Sequence, residues 1–206
     1  MKSTFLTIAL AGAAALLFAP SAKAEASAQT IKNLNAAFQG ESNAANRYKI
    51  FAEKAEKDGF PEAARMFRAT SASEAIHRDN HKAAILKLGG KVEPFELEAV
   101  TPGTTAENIK AAIKGETYEV DKMYPEFLAQ AEKEDARPAM GTFRAAMETE
   151  KAHAKIYAAA LENLGKQGVA AVDYFVCQVC GMTVTKLPAK KCPVCREPVS
   201  EFKKIS

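Results

Sequence analysis

One helical pattern occurs twice in this chain of 206 residues. In each copy a glutamate is followed, 33 or 34 residues later, by a Glu-x-x-His motif. The residues are Glu41, Glu74 and His77 in the first copy, and Glu116, Glu150 and His153 in the second. Because residues i and i+3 share one side of an α-helix, each motif offers a carboxylate and an imidazole together. A single motif could be a surface glutamate beside a structural histidine, but the duplication predicts a helical bundle with a two-metal carboxylate site.

The first 24 residues have the pattern of an export signal. Lys2 gives a basic start, residues 5–18 form an apolar run, and residues 22–24 have the small-x-small pattern of a cleavage site. The run is short for a membrane span, although an uncleaved anchor is the alternative. We therefore expect a signal peptide over 1–24, a mature chain beginning at Glu25, and export to the periplasm.

The charge of the chain gives no reason to expect a polyanionic partner. Removal of Lys2 and Lys23 with the signal lowers the net charge from +3 to +1, and the remaining basic residues form no stripe. This balance argues against nucleic acid or a membrane surface as a partner. No internal apolar run reaches transmembrane length, so we expect the mature protein to be soluble.

All four cysteines lie in the last 30 residues, in two Cys-x-x-Cys pairs. They are Cys177, Cys180, Cys192 and Cys195. Two such pairs, 11 residues apart, predict one metal site with four thiolate ligands. Two disulfides are the alternative in an oxidising compartment, but Gly181 and Pro193 favour metal-binding turns. The spacing does not distinguish iron from zinc.

The sequence between the signal and the cysteines predicts four helices in two hairpins. The expected limits are residues 26–57 and 61–88 for the first two helices, a start at 104–107 for the third, a break at 134–138, and an end near 164 for the fourth. Residues 91–103 contain two prolines and no helical period, which indicates a long crossover. Two helical hairpins joined in this way are the ferritin-like arrangement.

The two copies of the pattern differ by one inserted residue. Glu41 and Glu116 are 75 positions apart, whereas Phe51 and Phe127 are 76 apart. A single residue added within a helix is most cheaply absorbed as a π-bulge. We therefore expect an i→i+5 hydrogen bond somewhere in the stretch from Glu116 to Phe127, and none in the first helix. This bulge should help to direct Glu119 towards a metal.

With these motifs the chain resembles the rubrerythrins, over essentially the whole mature sequence. The residues that carry the resemblance are Gly40-Glu41-Ser42, Glu74-x-x-His77, Gly115-Glu116-x-x-Glu119, Glu150-x-x-His153 and the two cysteine pairs. The resemblance implies a mainly α fold: a ferritin-like di-iron bundle over 25–167 and a rubredoxin-like domain over 168–206. The chain departs from the family at Arg196, where glycine often follows the second cysteine of a pair.

The resemblance also implies a ligand set. Two iron ions in the bundle and one iron, or zinc, on the cysteines would be held by Glu41, Glu74, His77, Glu116, Glu119, Glu150, His153, Cys177, Cys180, Cys192 and Cys195. In the family, one iron can exchange the carboxylate at Glu119 for the imidazole at His77, whereas His153 stays bound. Tyr48 and Tyr124 match tyrosines that hydrogen-bond the carboxylates, although core aromatics would look the same in sequence. We expect His81 on the helix surface or beside the ligands rather than on a metal.

Independent physical reasoning agrees with a metal site. Several carboxylates in one bundle interior repel one another and lose hydration, which two divalent cations would offset. Mixed oxygen and imidazole ligands suit iron or manganese, and zinc would also bind.

The resemblance implies a peroxidase that serves in oxidative-stress defence. Hydrogen peroxide would be reduced to water at the di-iron site, with Glu119 carrying protons and electrons returning singly through the iron on the four cysteines. The implied partners are hydrogen peroxide, an electron donor outside the cytoplasm whose identity is open, and a second copy in a homodimer. A ferroxidase, an iron-storage protein and an electron carrier are the alternatives.

Overall fold

The computed structural model describes residues 27–168 and 170–206, and the expected signal peptide lies outside these residues. The main body is a bundle of four long helices. Its elements are α1 (Ala28–Lys57), α2 (Pro61–Lys87), α3 (Thr105–Tyr118), α4 (Tyr124–Lys133) and α5 (Arg137–Asn163). A π-helical turn, Glu119–Met123, joins α3 to α4, so that the two form one helix of the bundle. The mainly α, ferritin-like fold is confirmed.

The ends of the helices follow from local sequence signals. Gly59 has a φ of 81° after α1, a left-handed conformation that glycine adopts readily, and Pro61 begins α2. Thr104 and Glu107 form the expected capping box at the start of α3. The long crossover is fixed to α1 by Asn35, whose side chain bonds the backbone of residues 91 and 93.

Two apolar clusters fill the bundle, one on each side of a buried polar centre. The first includes Tyr48 and Phe67, and the second includes Tyr124 and Phe143. Each cluster contains a tyrosine that hydrogen-bonds a carboxylate of the centre. The polar residues therefore lie between two packed aromatic layers that exclude water from them.

The cysteine-containing lobe is built on a small antiparallel sheet. Strand β1 (Tyr174–Cys177) lies between β2 (Thr183–Val184) and β3 (Phe202–Ile205). Tyr174 and Val176 are buried in the first apolar cluster of the bundle, so the lobe packs directly on the helices. No helix among the described residues is long and apolar enough to cross a membrane.

Candidate metal centre

Six of the seven bundle residues predicted as ligands converge in two overlapping clusters. One cluster is Glu41, Glu74, His77 and Glu150, and the other is Glu74, Glu116, Glu150 and His153. Within each cluster the ligand atoms lie within 4.8 Å of one another. Glu74 and Glu150 belong to both, as expected for carboxylates that bridge two metal ions.

The chemistry of these donors fits cations. Their side chains are at most 2 % exposed, and several ligand atoms have no hydrogen-bond partner in the protein. The unpartnered atoms are Glu41 Oε2, both carboxylate oxygens of Glu74 and of Glu150, and Nδ1 of His77 and of His153. Buried acceptors without partners are costly, so a pair of divalent ions would satisfy the whole set at once.

The pKa shifts of the buried ligands also indicate that positive charge, from protons or from metal cations, stabilises the centre. Burial, together with the charges of Glu150 and Glu74, raises the pKa of Glu41 well above its ordinary value. Burial alone would lower the pKa of His153, but the charges of Glu74 and Glu150 raise it to about 9. Protons and metal cations therefore compete for the same groups.

The π-helical turn confirms the i→i+5 hydrogen bond that the repeat predicts in the third helix. The backbone N–H of Tyr124 bonds the carbonyl of Glu119, an i→i+5 hydrogen bond, whereas α1 is a continuous α-helix. Glu41 and Tyr48 are seven residues apart, close to two α-helical turns. Their counterparts Glu116 and Tyr124 are eight apart, and the wider π turn absorbs the extra residue so that both still face the centre.

Glu119, the seventh predicted ligand, is a member of neither cluster. Its residue is half-buried, and burial, followed by the charges of Glu41, Glu150 and Glu74, raises its pKa. Glu119 therefore lies outside both sets of clustered ligands, although the charges of their carboxylates act on it. Its role as an exchangeable ligand stays a prediction.

Both tyrosines predicted to hydrogen-bond the carboxylates do so. Each one bonds a carboxylate that belongs to the other copy of the repeat. The Tyr48 hydroxyl donates to Glu116 at 2.6 Å, and the Tyr124 hydroxyl donates a short hydrogen bond to Glu41. Of the two places expected for His81, the structure shows the one beside the ligands. His81 is fully buried, lies 3.1 Å from the Tyr124 hydroxyl and belongs to neither cluster.

The four cysteines form one cluster, also within 4.8 Å, and none is in a disulfide. The two turns are alike: Gly181 N–H bonds the Cys177 carbonyl at 2.9 Å, and Arg196 N–H bonds the Cys192 carbonyl at 3.2 Å. Arg196 adopts a φ of 67°, close to the 82° of Gly181. The departure from glycine therefore leaves the turn intact, at the cost of a strained arginine backbone.

The lobe reaches the bundle site through one face of α2. Three side chains at helical spacing bond three successive carbonyls of the first cysteine turn. The pairs are Ser73 with Gly181 (2.6 Å), His77 with Cys180 (3.1 Å) and Asn80 with Val179 (2.9 Å). Helical periodicity contains no signal for this contact, because it joins residues about 100 positions apart.

These contacts fix the tautomers of both ligand histidines. A carbonyl only accepts, so His77 must donate from Nε2 to Cys180. His153 Nε2 lies 3.0 Å from Thr183 Oγ1, and that hydroxyl gives its own proton to the Gly181 carbonyl. Nε2 of His153 is therefore also a donor. When the rings are neutral, as metal ligands must be, the lone pair of each lies on Nδ1, the atom that faces the carboxylates.

Gly181 is required by this contact as well as by its backbone conformation. A Cβ at Gly181 would lie 2.4 Å from Nε2 of His77 and 2.9 Å from Oγ of Ser73. Arg196 shows that the other cysteine turn accepts a side chain at a similar φ. The absence of a side chain at position 181 therefore permits the close approach of the lobe to the imidazole.

Comparison with known proteins agrees with both clusters. Residues 32–161 match the family model described as Rubrerythrin. The chain is 34% identical to Rubrerythrin-2 of Clostridium acetobutylicum, over 85% of this chain and 96% of that protein. It is 32% identical to nigerythrin of Nitratidesulfovibrio vulgaris, over 84% and 85% of the two chains.

Solved structures show the same relationship. The fully reduced, all-ferrous nigerythrin superposes with a TM-score of 0.74 at 30% identity, over 85% of this chain and 86% of that chain. A bacterioferritin of Rhodobacter capsulatus shares the bundle fold alone, with a TM-score of 0.61 and 24% identity over 66% of this chain and 84% of that chain. Sequence, fold and both ligand clusters thus agree that this chain belongs to the rubrerythrin family, with a carboxylate–imidazole di-iron site in its bundle and a rubredoxin-like site in its lobe.

Proposed function

We propose that this protein reduces hydrogen peroxide to water in the bundle, with electrons passed on from the cysteine centre. The observation that carries the proposal is the hydrogen bond between His77 and the Cys180 carbonyl, 3.1 Å long. One partner is a ligand of the bundle site and the other is the backbone of a thiolate ligand. A storage protein or a simple electron carrier has no need for this connection.

Two iron ions held by the bundle ligands would supply the two electrons that break the O–O bond. The lobe would supply electrons to the bundle site one at a time, because an iron held by four thiolates is a one-electron carrier. His77 presents Nδ1 to the bundle site and Nε2–H to the lobe, so a single imidazole connects the two centres. This arrangement supports return of electrons through the hydrogen bond between His77 and the Cys180 carbonyl.

Reduction of peroxide to two waters also consumes two protons. Glu119 is suited to carry them, because it is half-buried and burial and neighbouring carboxylates raise its pKa. A raised pKa lets a carboxyl hold a proton that an ordinary carboxyl would lose, and it can then pass that proton on. Tyr48 and Tyr124 hold the carboxylates Glu116 and Glu41 in place during this transfer.

The test is a comparison of two substrates on one protein. Anaerobically purified, fully reduced protein is mixed with one equivalent of hydrogen peroxide, and the oxidation of the cysteine centre is followed by its visible absorption. We expect the cysteine centre to be oxidised after the bundle site, and peroxide to be consumed steadily when a reductant is present. Sustained oxidation of added Fe(II) under oxygen, without peroxide consumption, would identify a ferroxidase instead.

The compartment and the assembly are further parts of the proposal. If residues 1–24 direct export, peroxide is removed outside the cytoplasm and the electron donor must be found there. Recovery of a chain starting at Glu25 from the periplasmic fraction supports this location, whereas an intact Met1 on a cytoplasmic protein would refute it. We expect a homodimer in solution, which light scattering measures directly.

A further inference from the structure

A third buried histidine lies next to the di-iron site without being a ligand. His81 follows His77 by one turn of α2 and is fully buried. Its Nε2 lies 3.1 Å from the Tyr124 hydroxyl, and its Nδ1 lies 3.0 Å from Oγ1 of Thr142 on α5. With the bond from Tyr124 to Glu41, these groups form a chain of four that ends on a ligand carboxylate.

The direction of this chain follows from the donors and acceptors. Other helical threonines serve for comparison with Thr142: Thr70 and Thr149 each give their proton to a backbone carbonyl within their own helix. Within residues 27–168 and 170–206, the Thr142 hydroxyl has no hydrogen-bond partner besides Nδ1 of His81. If Thr142 donates to Nδ1, a neutral ring carries its proton on Nε2 and donates to Tyr124. Every donor in the chain then has an acceptor.

The opposite tautomer conflicts with the bond from Tyr124 to Glu41. With the proton of His81 on Nδ1, Nε2 could only accept, and it would compete with Glu41 for the single proton of Tyr124. The Tyr124 oxygen therefore accepts one hydrogen bond while its proton goes to Glu41, and such chains strengthen their members.

The other half of the bundle lacks this arrangement. Tyr157 lies 76 positions after His81, at the matching place in the repeat, and its ring packs against Tyr48 with centroids 5.6 Å apart. The Tyr157 hydroxyl gives its own proton to Thr70 at 2.6 Å, so it does not donate to Tyr48 as His81 donates to Tyr124. Glu41 and Glu116 correspond in the repeat, and each accepts a hydrogen bond from a tyrosine. The tyrosine that bonds Glu41 is contacted by a histidine, whereas the one that bonds Glu116 packs against a second tyrosine.

We propose that His81 is a positioning residue that, with its tautomer set by Thr142, commits the proton of Tyr124 to Glu41 and so makes the two metal positions unequal. Glu41 belongs only to the cluster that contains His77, and Glu116 belongs only to the cluster that contains His153. The effect of His81 therefore falls on the first metal position. His81 acts on metal binding, so this role holds whether or not the site reduces peroxide.

The test compares stepwise metal binding in matched variants. The full-length protein, with its cysteine centre loaded and its bundle emptied by chelation, is titrated anaerobically with Co(II), whose visible bands report each occupied position. His81→Leu removes the donor, and we expect about 10-fold weaker binding at one of the two positions, in line with losses of partners that orient metal ligands. His81→Gln keeps an N–H near the place of Nε2 and should restore most of that affinity.

Two further variants separate positioning from packing. Tyr157→Phe removes the matching hydroxyl in the other half and should leave both Co(II) affinities unchanged. Thr142→Val keeps the shape of a half-buried residue but removes the group that sets the tautomer, so it should weaken the same position by a smaller factor. It also keeps the test decisive if His81→Leu does not fold. Equal losses at both positions, no rescue by glutamine, or an unchanged Thr142→Val protein would overturn the proposal.

Discussion

The Tyr48 hydroxyl donates a 2.6 Å hydrogen bond to Glu116, so a tyrosine of the first helical hairpin supports a carboxylate of the second. The reciprocal bond joins Tyr124 of the second hairpin to Glu41 of the first. Each half of the repeat thus holds a metal ligand of the other half. The two hairpins must therefore dock before either ligand is fixed, which links assembly of the bundle to formation of the site.

We expect Gly181→Ala to slow electron return from the lobe by about tenfold, because the new Cβ would contact Nε2 of His77 and displace the cysteine turn. The measurement is the rate of oxidation of the reduced cysteine centre after one equivalent of peroxide. Arg196→Gly is the matched control at the other turn. It relieves a positive φ and should leave the rate unchanged and the protein slightly more stable. Similar rates for wild type and Gly181→Ala would show that the close approach is not needed.

We expect His153→Ala to lower the iron content of the bundle, whereas His77→Ala should mainly slow peroxide turnover. The family resemblance implies that Glu119 replaces His77 as a ligand of one iron, whereas His153 stays bound. Iron analysis after gel filtration, together with steady-state peroxide assays, checks the difference. Equal metal loss in the two variants would contradict it.

We expect the metal-depleted bundle to become less stable as the pH rises from about 6 to about 9. The pKa of His153 is raised to about 9 in the folded protein, so its stabilising contribution is complete below the unfolded value of about 6.5 and is lost as the pH passes 9. Burial and the charge of Glu74 raise the pKa of Glu116, so its ionisation also destabilises the fold as the pH rises. Urea unfolding midpoints at the two pH values measure the effect.

The metal-loaded protein is the control for this pH dependence. Metal ions compete with protons for the same ligands, so bound iron should reverse or abolish the alkaline loss of stability. An unfolding midpoint that is equally pH-dependent with and without metal would mean that the titrating groups lie elsewhere in the protein.

We expect Cys192→Ser to lose the visible thiolate-to-iron absorption but to keep two metal ions in the bundle. All the clustered bundle ligands lie on the helices α1, α2, α3 and α5, and none lies in the lobe. The affinity of the bundle for those ions should fall, since a loosened lobe no longer hydrogen-bonds Nε2 of the ligand histidines. Loss of every metal, together with loss of helical circular dichroism, would show that the two parts do not fold separately.

The sequence by itself determined the parts of this protein that depend on short-range periodicity. The repeated Glu-x-x-His motifs identified ligands that share a helix face, and the one-residue offset between the copies located the π-helical turn at Glu119–Met123. The cysteine spacing likewise identified the second site. These signals are readable because helical geometry relates residue spacing directly to direction.

Only the tertiary structure decided how the two sites meet. Neither the bond from His77 to Cys180 nor the one from His153 to Thr183 follows from any spacing, because each joins a helix to a residue of the lobe that is distant in the sequence. The burial of His81 was equally open, since its neighbours on α2 do not say which face packs against α5. Long-range packing determines these contacts, and with them the imidazole tautomers on which metal binding depends.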